Sequence, residues 1–220
     1  MTTGATDSTA LGASSLVRRP ALISAALAPV FFIGGTIVAG ALWPSYDPLT
    51  QTISELAAGD APTRVFMTVM FVLTAACHGV TGIFAVGIGW PGRAALMAAS
   101  VATFAVAIFA LPTVAGTSVE HRWSAIAGFI LLAVWPLLGM RRGARYPWII
   151  RPTGAMLGTG LMTVFCFWFL AVWSNPGLGY IGFIERVAAN LESVWPLIVG
   201  LGLWLHERPA REPATETTSR

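Results

Sequence analysis

The chain has 220 residues, of which 55% are hydrophobic and only 10% charged, and its mean hydropathy is +0.72. A water-facing domain carries about 25% charged residues, so soluble, collagen-like, disulfide-framework and disordered classes are excluded. Composition leaves an all-α polytopic membrane protein, embedded in a lipid bilayer.

All 13 basic residues are arginine, giving a net charge of +3. They are scattered between apolar runs and form no basic face interleaved with aromatics, which argues against a nucleic-acid partner. Cys77 and Cys166 both fall inside apolar segments, where a thiol behaves as a small hydrophobe. Neither a disulfide nor a metal site is expected from them.

In chain order, residues 1–17 are rich in Thr, Ser, Ala and Gly and read as a disordered tail. Arg18 and Arg19 then open an apolar run longer than a signal peptide's apolar core of roughly 7–15 residues. About 20 apolar residues are needed to cross the hydrocarbon layer. Six stretches meet that length: 21–42, 64–88, 94–113, 124–140, 153–173 and 187–205. The expected fold is therefore a six-helix transmembrane domain over 18–206, followed by a disordered cytoplasmic tail at 207–220.

Arginine counts orient the bundle. With the N-terminus inside, Arg18, Arg19, Arg93, Arg141, Arg142, Arg145, Arg151, Arg208, Arg211 and Arg220 are cytoplasmic, against Arg64, Arg122 and Arg186 outside. Both termini are then expected in the cytoplasm. Trp43, Trp123 and Trp173 at one set of helix ends, and Trp90, Trp148 and Trp204 at the other, form the belts of a membrane interface. Gly154 and Gly158 give the fifth span a small-residue face for close helix packing.

The longest connection, 43–63, lies on the outer side. Within it the segment from Thr50 to Leu56 is expected to form a short helix, with Asp47 or Thr50 as its cap. Leu49, Ile53 and Leu56 would share one face of it.

The acids are unevenly placed. Asp47, Glu55, Asp60, Glu120, Glu185 and Glu192 all map to the outer half, with His121. Three clusters stand out there: Tyr46-Asp47-Pro48 through Ser54-Glu55-Leu56, then Glu120-His121-Arg122, then Glu185-Arg186. Glu192 follows Glu185 by seven residues, so both project from one helix face. A carboxyl within a span is costly and faces the bundle interior or a water-filled cavity, which makes Glu192 a candidate proton donor or relay. His78, with Thr74 and Gly82 one turn away on either side, is a second ionisable group at membrane depth.

Several patterns are set aside. Gly87-Ile88-Gly89-Trp90-Pro91-Gly92 matches a dinucleotide-binding spacing but closes a span instead of following a strand. The three histidines lack ligand spacing, so no metal and no other cofactor is expected.

Taken together, the segment Tyr46-Asp47-Pro48-Leu49-Thr50-Gln51-Thr52-Ile53-Ser54-Glu55-Leu56 resembles the first outer loop of the domain-of-unknown-function-998 family. Leu111-Pro112 with His121, and Gly182-Phe183-Ile184-Glu185-Arg186, are similar to its later signatures. The resemblance covers about residues 20–206. It implies six spans in a bacterial, often actinobacterial, plasma membrane protein, and implies no substrate.

Two functional expectations follow. The first is an intramembrane acid–base enzyme acting on a lipid-like or isoprenoid substrate, for example by proton-initiated terpene cyclisation. Glu192 or Glu185 would supply the proton, Trp168 and Trp195 would wall the cation, and Arg186 or Arg122 would anchor an anionic head. Head-group chemistry by Glu55, His121 and Glu185 is another form of it. Tyr46, Asp47, Ser54, Glu120 and His78 would contact substrate. The second expectation is a non-catalytic protein that binds a lipid or small ligand or supports a complex; a transporter is a weaker third.

Overall fold

A computed structural model describes residues 15–208, and every regular element among them is helical. Six helices are long and apolar enough to cross a membrane: α1 Arg19–Leu42, α2 Arg64–Phe84, α3 Trp90–Ile108, α4 Val119–Leu138, α5 Pro152–Trp173 and α6 Ile181–Glu207. The shortest, α3, has 19 residues. At 1.5 Å per residue it is about 28 Å long, close to the hydrocarbon thickness. Short 3₁₀ turns occupy Ser54–Ala57, Trp148–Ile150 and Pro176–Leu178 in the connections. Along α1, one π turn, Val30–Gly34, follows directly after Pro29, the kind of ladder defect that proline introduces.

Sequential helices pack as neighbours, and α1 also packs on α6, which closes the ring. Gly158 of α5 lies flat against the indole of Trp195 on α6, so the small-residue face does serve close helix contact. The tryptophans expected in belts sit at the helix ends, with Trp90, Trp123 and Trp148 more than half exposed.

Helix ends shift from expectation for identifiable reasons. α3 starts at Trp90 because Pro91 fits the first turn, where its missing N–H costs nothing. α4 starts at Val119 because the Ser118 side chain caps it by accepting from the His121 N–H at 3.0 Å. α2 ends at Phe84, its Gly82 and Ile83 carbonyls taking the Arg93 guanidinium. α6 begins at Ile181, two turns before the apolar run, because its polar first turns bury against the 43–63 loop. Positions 15–17 and 207, expected in the tails, are held against the bundle. Val17 is buried, the Ser15 hydroxyl and Leu16 N–H both donate to the Glu207 carboxylate, and Glu207 ends α6. The remaining tail positions, 1–14 and 209–220, lie outside the described residues.

Candidate functional site

The 43–63 loop folds back over the open end of the bundle, and the loop's own side chains prevent the helix expected there. Asp47 accepts from the Leu49 N–H and the Thr50 hydroxyl, at 2.9 and 2.7 Å. Glu55 accepts from the Thr52 N–H and hydroxyl and from the Gln51 amide. Such local bonds compete with helix formation, and only the 3₁₀ turn Ser54–Ala57 survives. Ile53 and Leu56 are buried as expected, while Leu49 remains exposed.

The start of α6 locks this loop. Gly182 is in such close contact that a Cβ there would lie 2.1 Å from the Gln51 carbonyl oxygen. The Phe183 N–H donates to the Leu49 carbonyl at 3.1 Å. The Glu185 carboxylate accepts from the Ile53 N–H at 2.6 Å. Arg186 donates to the carbonyls of Pro48, Gln51 and Gly182 at 2.8–2.9 Å, and to the Tyr46 hydroxyl. Burial pushes the Tyr46 phenol up to about 12, although the Arg186 charge pulls the other way. The Asp47 carboxyl is held below its ordinary value, first by the Thr50 hydroxyl and then by the Leu49 N–H.

A second contact ties the loop to the α3–α4 connection. The Gly59 N–H donates to the Leu111 carbonyl at 2.8 Å, and the Val114 N–H donates to Asp60 at 2.7 Å. A Cβ on Gly59 would meet the Pro112 oxygen at 2.3 Å. The three sequence segments singled out above therefore meet in space at one end of the bundle.

Beside this junction His121 is buried, with both ring nitrogens engaged. Its Nδ1 lies 2.9 Å from the Phe109 carbonyl, which can only accept, so Nδ1 carries the proton. In the neutral ring Nε2 then accepts from the Ser54 hydroxyl at 3.0 Å. A hydroxyl is thus presented to a base whose tautomer is set from behind by a backbone carbonyl, the positioning that general-base chemistry requires.

Below the junction lies a cavity of about 790 Å³, within the size range of small-molecule sites. Ser54, Glu55, His121, Arg122 and Glu185 line its mouth, and Thr74, His78, Cys166, Glu192 and Ser193 line its depth. Glu192 sits about two helical turns, or about 10 Å, below Glu185, from seven residues at 1.5 Å each. Glu192 is 1% exposed. Among the described residues its one hydrogen-bond partner is the thiol of Cys166, which donates at 3.2 Å. Between the two levels the walls are aromatic: Phe32 packs on Phe71 and Phe129 on Phe169, with centroids 6.2 and 5.4 Å apart. On the α4/α5 side the lining residue Phe167 is 66% exposed, so the cavity is open sideways as well.

Of the residues expected at a site, Glu192, Glu185, Glu55, His121, Ser54, Arg122 and His78 line this one cavity. Trp168 does not: it is 45% exposed and stacks on Phe165 at the outer surface of α5. Trp195 does not either, being buried in the core between α5 and α6. Among the aromatic rings on the wall are those of Phe32, Phe71, Phe129 and Phe169. Arg186 and Tyr46 lie outside the wall, engaged with each other and with loop carbonyls, so Arg186 holds the loop in place of anchoring a head group. Asp47 and Glu120 are exposed and off the wall. Cys166 and Ser193 were not anticipated. A thiol in an apolar run carries no signal of its own, and Ser193 is marked only by adjacency to Glu192. Among the described residues, no three His, Cys, Asp or Glu side chains gather as ligands for a metal ion.

No match to a curated protein or to a solved structure was found. The sequence profile described as "Protein of unknown function (DUF998)" matches residues 26–202. The loop–helix lock, the Leu111-Pro112 contact and the cavity beneath them all lie inside that span, and the chain belongs to this family.

Proposed function

We propose that the protein is an intramembrane acid–base enzyme that acts on a lipid-like or isoprenoid substrate held in the cavity between the 43–63 loop and Glu192. The observation that carries this reading is the cavity itself. One continuous space joins a histidine–hydroxyl pair at the bundle end to a buried carboxyl in an otherwise apolar interior. An intramembrane ionisable group on a cavity wall is by default a functional group. The sideways opening at Phe167 suits a substrate arriving from the bilayer.

In this reading Glu192, in its acid form, delivers a proton to an alkene or other weakly basic group of the substrate. The cation so formed lies between the faces of Phe71, Phe129 and Phe169, where cation–π attraction favours it. His121 takes a proton back at the mouth, directly or through Ser54; it then releases that proton to water at the mouth, and Glu192 takes one up through the cavity, which restores both groups. Glu185 is a positioning residue: its carboxylate holds the Ile53 N–H and thus Ser54 beside it. That same contact favours the second reading, a non-catalytic lipid-binding protein in which these charges only brace the loop.

We place the protein in the plasma membrane of a bacterium, with both termini in the cytoplasm and the acidic end outward, on the arginine count. The test is to incubate the purified protein with isoprenoid and phospholipid fractions of bacterial membranes and follow them by mass spectrometry. Conversion that Glu192→Gln removes while leaving the unfolding temperature in place is expected. Lipid binding without conversion, unaltered by Glu192→Gln, would leave the binding reading instead.

A further inference from the structure

We infer that the deep end of the cavity is a recognition site for an uncharged hydrogen-bonding group, a hydroxyl or carbonyl, carried by an elongated apolar molecule. This rests on the reading that the cavity takes a lipid-like substrate. It adds the charge of that substrate and where its polar group sits.

The first observation is a set of polar atoms with nothing to bond. His78 is 2% and Ser193 3% exposed, and both line the cavity. The His78 Nδ1 and the Ser193 hydroxyl are buried with no hydrogen-bond partner among the described residues. Their neighbours do not relieve them, because the Thr74 hydroxyl donates to the Met70 carbonyl at 2.8 Å and the Cys166 thiol donates to Glu192. Buried polar atoms in folded proteins almost always have a partner, and an exception calls for one from outside. A hydroxyl can both give and take a hydrogen bond here, and a carbonyl can take one from either group. Three other unpartnered atoms, on Trp135, Asn190 and Trp195, belong to residues off the cavity wall and play no part in this.

The second observation is the charge along the wall. Among the described residues Arg122 is the one arginine that lines the cavity. It sits at the mouth, over the Trp173 ring, with the carboxylates of Glu55 and Glu185 on the same wall. Arg186 is occupied by three carbonyls and Tyr46. At the deep end the wall carries the carboxyl of Glu192, in its acid form in this reading, and among the described residues no arginine. A phosphate or diphosphate head would meet more negative than positive charge at the mouth and none of the positive kind at depth. An uncharged polar group meets His78 and Ser193, and its apolar body lies between Phe32, Phe71, Phe129 and Phe169.

The experiment uses the full chain in detergent, stripped of native lipid. It is titrated with three probes: geranylgeraniol, the hydrocarbon of the same skeleton without the hydroxyl, and geranylgeranyl diphosphate. The alcohol is expected to bind about tenfold more tightly than the hydrocarbon, the effect of one net hydrogen bond, and more tightly than the diphosphate. Ser193→Ala is expected to shrink the alcohol's advantage severalfold, and His78→Phe to do the same, with hydrocarbon affinity unchanged in both. Ser193→Ala removes one atom and keeps the test valid if His78→Phe fails to fold. Equal affinity for alcohol and hydrocarbon, tighter binding of the diphosphate, an unchanged preference in Ser193→Ala, or no binding of the alcohol at all would each overturn the inference. Failure of the enzymatic reading looks different. In that case the alcohol binds through Ser193 and is never converted; conversion of the diphosphate would instead uphold the enzyme and remove this inference.

Discussion

The two ends of the bundle handle charge in opposite ways. At the arginine end, guanidinium groups close on nearby backbone carbonyls: Arg93 on Gly82 and Ile83, Arg141 on Gly87 and Ile88, Arg151 on Tyr146. Beneath them the core is tight, with Leu96, Trp135, Met162 and Leu203 all fully buried. At the acidic end, Arg186 and Glu185 likewise hold backbone groups, but they hold a loop that roofs an open space. One end is filled, whereas the other is braced around a cavity. Bracing costs the loop its regular structure, and it leaves Ser54, His121, Glu192 and His78 facing a shared interior.

If that contrast is right, the largest effect comes from the lock. Gly182→Val places atoms where the Gln51 and Pro48 carbonyls already stand, 2.1 and 2.7 Å from the new Cβ. A loss on the order of 3 kcal/mol is expected in thermal unfolding of the detergent-purified protein. Gly160→Ala, with nothing within 4 Å, serves as the matched control. It is expected to be neutral or to gain up to about 1 kcal/mol from helix propensity. Equal losses at both glycines would remove the lock from the account.

Next comes the comparison of arginines. Arg186→Met leaves three carbonyls and the Tyr46 hydroxyl without their donor, for an expected loss of about 2 kcal/mol. Arg141→Met at the other end gives up two long hydrogen bonds, of 3.3 and 3.4 Å, and a loose stacking of the guanidinium on the Tyr146 ring, with about 1 kcal/mol or less expected. The same unfolding assay ranks them, and the reverse order would contradict the distinction between the ends.

The last effect is a pH dependence. The Tyr46 phenol is pushed from 10.0 to about 12 in the folded protein, chiefly by burial. Its contribution is fully present below pH 10 and is lost as the pH rises toward 12, because the unfolded chain releases that proton first. Unfolding temperature is therefore expected to fall across this window, and to fall less steeply in Tyr46→Phe. Identical slopes would show that Tyr46 is not buried against Arg186 as described.

Much of the frame was legible in the sequence because the bilayer imposes it. About twenty apolar residues, prolines or polar clusters near most boundaries and tryptophan at the ends identify six spans with little dependence on tertiary contacts. The family and its three segments were legible too. What periodicity could not reveal were features decided by partners distant in sequence. The Thr50–Leu56 stretch has a helix-like pattern, yet Asp47 holds the Leu49 N–H and the Thr50 hydroxyl at its start, and Glu55 and the remote Glu185 take the Thr52 and Ile53 N–H groups. The polar first turns of α6 score poorly as a span, but they are helical because the loop buries them. Glu192 and His78 could be singled out, since an ionisable group stands out in an apolar run. Trp168 and Trp195 misled, because aromatic character says nothing about which way a helix face points. The thiol partner of Glu192 and the carbonyl behind His121 depend on contacts between helices and have no local signature.

The most direct test of the account fills the cavity without touching its polar groups. Gly128 lines it, and a Cβ there would meet only Ala102, at 3.9 Å. The Cβ position is therefore open, and Gly128→Phe is chosen to carry a ring into the space. Lipid that co-purifies with the wild-type protein and with Gly128→Phe is quantified by mass spectrometry, alongside unfolding temperature. The expected result is loss of a bound apolar molecule with stability held within about 1 kcal/mol, as befits a substitution into open space. Unchanged bound lipid in a folded Gly128→Phe protein would contradict the claim that this cavity is the site.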